Sequence, residues 1–146
     1  MNIFAVIDTN VLVSALLKRE SNPGKVVQNT LAGIIKPVYS KEIIAEYNEV
    51  LHRKKFKFSN AVIDSIIQNI IKNGIKLSGI TTEEKPTDPD DVIFYEVTMD
   101  ARQTDETFLV TGNIKDFPIK PFVVRPEEMM KIIEERRKRD VIVFEN

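Results

Sequence analysis

The chain begins with an uninterrupted apolar segment of strand length that ends in an acidic residue. Residues 3–7 are all apolar, and Asp8, Thr9 and Asn10 follow at once. A run that is apolar on both faces is typical of a strand inside a parallel sheet, which helices cover on both sides. Ligands bind to open parallel sheets at the carboxyl ends of the strands. Because a buried carboxylate must be paired, hydrogen-bonded or metal-bound, Asp8 is the first candidate site residue.

The composition restricts the chemistry that is open to the chain. Its 146 residues suit one domain with a sizeable core. The absence of cysteine excludes a thiolate zinc site and a cysteine nucleophile, and the single histidine, His52, excludes zinc sites with two or more imidazoles. The net charge of −1 gives no overall attraction to nucleic acid. Carboxylates, hydroxyls, amides and cations remain as the functional groups.

The sequence also predicts where the protein resides. No apolar run approaches the roughly 18–20 residues that a helix needs to span a bilayer. The N-terminus lacks the basic region and the cleavage site of a signal peptide. We therefore expect a cytoplasmic protein with no membrane partner.

Apolar, β-rich segments alternate with segments of helical periodicity, which predicts βαβ units and an α/β fold with a parallel sheet. The predicted strands cover residues 3–7, 37–39, 75–77, 107–110 and 121–124, with a further edge strand at 141–144. The predicted helices cover residues 11–18, 25–32, 41–51 and 59–72, a segment from Asp90 or Asp91 to about residue 101, and a last segment that begins at Pro126. No linker or repeat interrupts this series, so we expect a single domain over residues 1–146, with the last strand and helix as a C-terminal extension.

Acidic residues stand at or beside the ends of these elements: Asp8, Glu46 on the helix 41–51, and the cluster Asp88, Asp90 and Asp91. Each has an ordinary structural interpretation, since Asp is a preferred helix cap and Glu46 can lie on a solvated helix face. Capping does not explain three acids within four residues, because crowded like charges repel one another. A divalent cation does explain them, and oxygen ligands without histidine or cysteine favour Mg²⁺ or Mn²⁺ over zinc.

Other folds with acidic or phosphate-binding sites lack their motifs in this chain. A phosphatase of the haloacid dehalogenase type also begins with an apolar strand that ends in Asp, but it needs a second Asp at the position of Asn10. Residues 23–26 lack the first glycine and the hydroxyl of a P-loop, and no GxGxxG motif occurs. The P-loop and dinucleotide folds therefore have no support, and the phosphatase fails on one residue.

Three segments resemble the PIN domain, and more narrowly the toxin-type PIN proteins of bacterial toxin–antitoxin systems. They are residues 6–15, 88–97 and 109–118, with a helical glutamate between the first two, and the resemblance extends from residue 3 to about residue 118. It implies a three-layer α/β/α sandwich around a mostly parallel sheet, whose strand ends gather acids that bind Mg²⁺ or Mn²⁺. It also implies an endoribonuclease with an RNA substrate and a small antitoxin protein as partner, and homodimers are common in the family.

Carried over residue by residue, the resemblance makes Asp8, Glu46 and Asp91 the metal-binding and catalytic acids. The supporting positions are Thr9, Asn10, Asp88, Asp90, Thr111, Asn113 and Asp116. The chain departs from the family at Asn113, where most PIN domains carry an acid. An asparagine brings no charge, so the number of metal ions and the catalytic rate stay open, and the nearby Asp116 is a candidate to compensate.

The leading hypothesis is the metal-dependent hydrolysis of single-stranded RNA, in which the ion activates a water and stabilises developing charge. The alternative is a PIN-like binding module for RNA or a partner protein, with an active site weakened at Asn113. The basic runs at residues 53–55 and 136–139 are candidates to bind the negatively charged substrate. We favour the interpretation that both are solvated helix ends. Core packing is likewise favoured over a dimer interface for the isoleucine-rich helix 59–72.

Overall fold

The computed structural model describes residues 2–145, and the side chains of residues 2–141. Its strands are β1 (Ile3–Ile7), β2 (Ile35–Tyr39), β3 (Ile75–Lys76), β4 (Thr107–Val110) and β5 (Val123–Val124). They form one sheet in the order β3-β2-β1-β4-β5, and every neighbouring pair is parallel. The apolar run that opens the chain is therefore the central strand, as its composition predicts.

Six helices connect and cover these strands in the described part of the chain. They are α1 (Thr9–Leu17), α2 (Asn22–Leu31), α3 (Lys41–Leu51), α4 (Asn60–Asn73), α5 (Pro89–Ala101) and α6 (Pro126–Glu145). Serines are the N-caps of three of them, where Ser21, Ser40 and Ser59 each accept a backbone N–H at 3.2 Å. These hydrogen bonds satisfy donors that the first turn of a helix leaves free.

The order of the strands creates a switch point beside the central strand. The chain moves outward from β1 to β2 and β3, and then returns to β4 on the other side of β1. Right-handed crossovers therefore place α5 on the opposite face of the sheet from α1 to α4, and α5 packs against β1, β2 and β4. In such a sheet the crevice for a ligand lies outside the carboxyl ends of the strands at this switch, here β1 and β4.

The core between the sheet and its helices confirms the favoured interpretation of the isoleucine-rich helix. Four isoleucines of α4 are buried, namely Ile63, Ile66, Ile67 and Ile70. Of the large apolar residues on that helix, only Val62 and Ile71 remain substantially exposed, at 43% and 37%. The three-layer α/β sandwich is thus closed by apolar faces that the sequence periodicity predicts.

Several local predictions were wrong, among them the start of helix α2, which lies at Asn22 rather than at residue 25. Residues 141–144, expected as an edge strand, continue helix α6, because the charged segment before them is an unbroken run of good helix formers. Helix α5 begins at Pro89 rather than at Asp90 or Asp91, and Asp88 is its N-cap. Proline at the first position of a helix loses no hydrogen bond, which favours this earlier start. None of the helices that the structure describes has the length and apolarity needed to cross a membrane.

Candidate active site

Asp8 lies at the switch point, directly after β1, and only 5% of its surface is exposed. Its backbone N–H donates to the carbonyl of Val110 in β4 at 2.9 Å, which extends the pairing of the two strands by one residue. It occupies the N-cap position of α1, yet its side chain forms no capping hydrogen bond. Simple helix capping therefore does not explain why an acid stands here.

The side chain of Asp8 is instead held by polar groups from the first turn of α1 and from the loop after β4. Its Oδ2 atom accepts hydrogen bonds from the Thr111 hydroxyl at 2.8 Å and from the Asn10 amide at 3.2 Å. Thr111 is fully buried, and its hydroxyl also accepts the backbone N–H of Asn113 at 3.0 Å. Asn10 in turn accepts the backbone N–H of Gly112 at 3.0 Å. The loop after β4 is thereby tied to the first turn of α1, and one carboxylate oxygen is fixed in place.

Glu46 reaches the same site from helix α3. The hydroxyl of the buried Thr9 donates to Glu46 Oε2, and the charge of Glu46 acts on Asp8. The next residue, Tyr47, is fully buried and its hydroxyl donates to the carbonyl oxygen of Ile7, the last residue of β1. Two consecutive residues of α3 therefore hold this helix against the end of the central strand.

The acids before α5 play unequal parts. Asp88 is exposed and accepts the backbone N–H of Asp90 at 2.9 Å, as an N-cap does. Asp90 is exposed as well, whereas Asp91 is half-buried. The negative charge of Asp8 is among the influences that raise the pKa of Asp91.

Burial is the main electrostatic influence on the two central acids. It raises the pKa of Asp8 to about 6, against the lowering effect of the hydrogen bond from Thr111, and the charge of Glu46 raises it further. It also raises the pKa of Asp91 to about 7, together with the negative charges around it. Both shifts arise because burial and neighbouring negative charges disfavour the ionised carboxylate.

Several supporting residues lie around this centre. The charges of Asp8, Asp88, Asp116 and Asp90 all contribute to the shift of Asp91, so Asp116 belongs to the same electrostatic neighbourhood. Asn113 is exposed and begins the short 3-10 helix Ile114–Asp116, with no capping hydrogen bond from its side chain. In the part of the chain that the structure describes, no three acids or histidines lie close enough together to form a ready metal-binding group.

A family model described as PIN domain matches residues 5–115, which is well over half of the chain. The chain belongs to the PIN domain family. A search of curated proteins found no significant match to it. PIN domains are typically nucleases, which act on nucleic acid and generally use divalent metals.

The donor atoms of this PIN domain fit such a metal. All the candidate ligands are carboxylate, hydroxyl or amide oxygens, the type of ligand that Mg²⁺ prefers. Mg²⁺ needs only one or two protein carboxylates, because water and substrate phosphate complete its coordination. The raised pKa values of Asp8 and Asp91 also indicate a site that lacks a compensating positive charge.

Sequence reasoning missed some residues of this PIN domain site. Tyr47 was not among the predicted site residues, although burial and the charges of Asp8 and Glu46 raise its pKa and keep its hydroxyl a donor. Its position next to a predicted acidic ligand was the one available indication. An open cavity of about 430 Å³ lies beside Asn113 and Asp116, with Lys115 and Arg125 in its lining. Arg125 follows the short strand β5, and no motif pointed to it.

A large apolar cavity lies away from the acids. It is a groove of about 500 Å³ between α1, α2 and α4. Leu31 and Val62 lie in its lining and are 41% and 43% exposed. Because no titratable acid lines it, this groove has no part in the chemistry of the site, but its apolar surface is of the kind that another protein covers.

Proposed function

We propose that the chain is a metal-dependent endoribonuclease that hydrolyses single-stranded RNA with Mg²⁺ or Mn²⁺. The observation that carries this proposal is Asp8, a buried carboxylate at the switch point of a PIN fold, hydrogen-bonded by Thr111 and Asn10 and close to the charges of Glu46 and Asp91. A buried negative charge without a compensating cation lowers the free energy of unfolding. Groups with perturbed pKa values of this kind cluster at functional sites.

Asp8, Asp91 and Glu46 are the residues that would hold the ion. A bound divalent ion supplies Lewis-acid stabilisation of the phosphoryl oxygens and a water of lowered pKa. Asp116 adds negative charge near the site, and Asn113 offers a neutral carbonyl oxygen where most relatives have an acid. We infer that one ion is sufficient for this chain, since Asn113 brings no charge for a second.

The protein's own residues do the positioning. Thr111 and Asn10 keep Asp8 Oδ2 in one orientation, and Thr9 does the same for Glu46. Tyr47 fixes α3 against the end of β1, so that the two acids keep their spacing. Lys115 and Arg125 provide positive charge beside the acids, where the phosphates on either side of the scissile bond would lie.

Cleavage assays test this proposal directly. We expect the purified protein to cleave a single-stranded RNA in Mg²⁺, and excess EDTA, Asp8→Asn and Asp91→Asn each to abolish the cleavage. Robust cleavage by both variants or in EDTA would refute the assignment. Wild-type binding of RNA or a partner, without measurable affinity for Mg²⁺ or Mn²⁺, would instead support the alternative of a PIN-like binding module.

We further propose that this nuclease is the toxin of a bacterial toxin–antitoxin pair and works in the cytoplasm. The apolar groove between α1, α2 and α4 supports a protein partner, because Leu31 and Val62 leave it partly exposed to solvent. An antitoxin or a second copy of the chain would bury this surface. Expression of the wild-type chain in bacteria should arrest growth, and Asp8→Asn should relieve the arrest. Unimpaired growth at equal protein levels would argue against a toxin.

A further inference from the structure

The residues that follow α3 form a strongly basic surface loop. We call residues 52–58 the basic loop; it contains Arg53, Lys54, Lys55 and Lys57 and no acid. Arg53 forms an ion pair with Glu49 at 2.9 Å. The three lysines are exposed and form no ion pair with any described residue. A chain with a net charge of −1 thus carries a concentrated positive patch at this place.

The same loop carries two stacked aromatic rings. The rings of Phe56 and Phe58 are nearly parallel, with an interplanar angle of 7° and 5.3 Å between their centroids. Phe58 packs against the hydrophobic core, which anchors the pair. Phe56 is half-buried, and the Nζ atom of Lys55 lies 5.1 Å from its centroid. Lys57 between them has a φ of 57°, a conformation that lysine rarely adopts. A simple solvated helix end does not require this arrangement.

The basic loop begins close to the acids of the active site. Glu46 lies on α3 five residues before the end of the helix at Leu51, and Arg53 follows that end by two residues. The hydrogen bond and the charge of Glu49 raise the pKa of Arg53, and the charges of Glu46 and Asp90 raise it further. The start of the loop is therefore within electrostatic reach of two candidate site acids on different helices.

We propose that the basic loop binds a single-stranded nucleic acid beside the active site, with phosphates on Lys54, Lys55 and Lys57 and a base stacked on Phe56. Exposed lysines attract the backbone, and aromatic rings bind unpaired bases without sequence preference. A duplex keeps its bases stacked internally and offers none to Phe56. The inference rests on the proposed nuclease function, because the acidic site repels phosphates and needs adjacent positive charge to retain its substrate.

Binding of a fluorescein-labelled, unstructured RNA of about 12 nucleotides tests the inference, a length that suits a binding groove for single strands. Fluorescence anisotropy is measured in EDTA, so that no cleavage occurs. We expect Lys54→Ala/Lys55→Ala to weaken binding and to reduce the slope of log affinity against log salt by about 1.4, which corresponds to two lost phosphate contacts. We expect Phe56→Leu to weaken binding about tenfold, the size of one lost stacking contact, and Phe56→Trp to retain it.

A double variant on another helix, Lys131→Ala/Arg139→Ala, removes the same charge from exposed positions of α6 and should change affinity by less than about twofold. Thermal unfolding of every variant shows that the fold is intact. We choose Phe56→Leu rather than Phe56→Ala because leucine keeps an apolar side chain at this position. The variant therefore reports the loss of stacking without the loss of the local packing. Affinities of the loop variants within the range of the α6 control would overturn the inference, as would equal binding of the same sequence as a duplex.

Cleavage of the unlabelled RNA by the wild-type protein in Mg²⁺ separates the two proposals. If the loop variants lose binding but the wild type does not cleave, the basic loop is a nucleic-acid site and the nuclease assignment fails. If the wild type cleaves and all variants bind equally, the nuclease assignment stands and the basic loop is refuted.

Discussion

Two regions of this PIN domain that contain candidate site acids differ in physical character. The strand-end region around Asp8 is buried and held by hydrogen bonds from Thr111 and Asn10. The helix-start region contains Asp88 and Asp90, which are exposed, and the half-buried Asp91. Burial makes the first region sensitive to every change of charge or hydrogen bonding, whereas solvent screens much of the second. Two acidic motifs that look equivalent in a sequence can therefore differ in their importance for the candidate site.

The largest expected effect separates Asp8 from Asp90. We expect Asp8→Asn to reduce Mg²⁺-dependent RNA cleavage by more than about 100-fold, because even the loss of an outer partner of a metal ligand costs up to that much. Asp90→Asn removes the same charge from an exposed position and should change the rate by less than about threefold. Initial rates at saturating Mg²⁺ measure both. Equal losses in the two variants would show that the regions do not differ as their burial suggests.

The second prediction concerns the hydrogen bonds that hold Asp8. Thr111→Val keeps the shape of the side chain but leaves Asp8 without its closest donor, so we expect unfolding free energy to fall by about 1–3 kcal/mol at pH 8. Urea unfolding in EDTA measures the loss.

Thr30→Val is the matched control for this experiment. Thr30 is also buried, but its hydroxyl donates only to the carbonyl of Val26, four residues earlier in the same helix. That carbonyl keeps its helical partner, so the substitution should cost less than about 1 kcal/mol. If Thr30→Val lowered the unfolding free energy as much as Thr111→Val does, the charge of the buried Asp8 would add nothing to the strength of the Thr111 hydrogen bond.

The third prediction is a pH dependence of the metal-free protein. The folded state raises the pKa of Asp8 from 3.8 to about 6, so it binds the proton more tightly than the unfolded chain does. The stabilising contribution of this group is complete below pH 3.8 and is lost as the pH rises through about 6. Asp91 acts in the same direction, with loss up to about pH 7. In EDTA, stability from Asp8 alone should therefore fall by about 1 kcal/mol between pH 5 and 8.

Denaturant unfolding over this pH range, with variants, locates the source of the slope. Asp8→Asn should flatten the dependence, whereas Asp64→Asn, at an exposed position on α4, should leave it unchanged. Added Mg²⁺ should stabilise the wild type more at pH 8 than at pH 5.5, because the metal competes with protons for the same oxygens. A slope that Asp8→Asn does not reduce would contradict the assignment of the shift to this residue.

The smallest expected effect tests the helix-start region. Asp88→Ala removes the N-cap of α5 and should cost about 0.5–1 kcal/mol of stability, whereas Asp88→Asn preserves a capping oxygen and should cost almost nothing. Cleavage should change little in both variants. A large loss of activity in Asp88→Asn would move Asp88 from a structural cap into the group of metal ligands.

Short-range patterns predicted a large part of the fold. The apolar run before Asp8 identified the central strand, and each of the six predicted helices is present, some with shifted ends. The prediction failed at residues 141–144, where four apolar residues look like a strand in isolation but follow a long helix. Local composition cannot show such continuity, since an apolar run of this length suits either structure.

The same distinction between local sequence and tertiary structure applies to the candidate site. The sequence by itself determined that Asp8 ends a buried strand, that an acidic cluster precedes a helix, and that no thiol or second imidazole takes part, because these properties depend on neighbouring residues and composition. Only the tertiary structure decided that Thr111 and Asn10 hold Asp8, that Tyr47 anchors α3, and that the rings of Phe56 and Phe58 stack. The physical reason is distance along the chain. Thr111 follows Asp8 by 103 residues, and only the parallel pairing of β1 with β4 brings the two strand ends together.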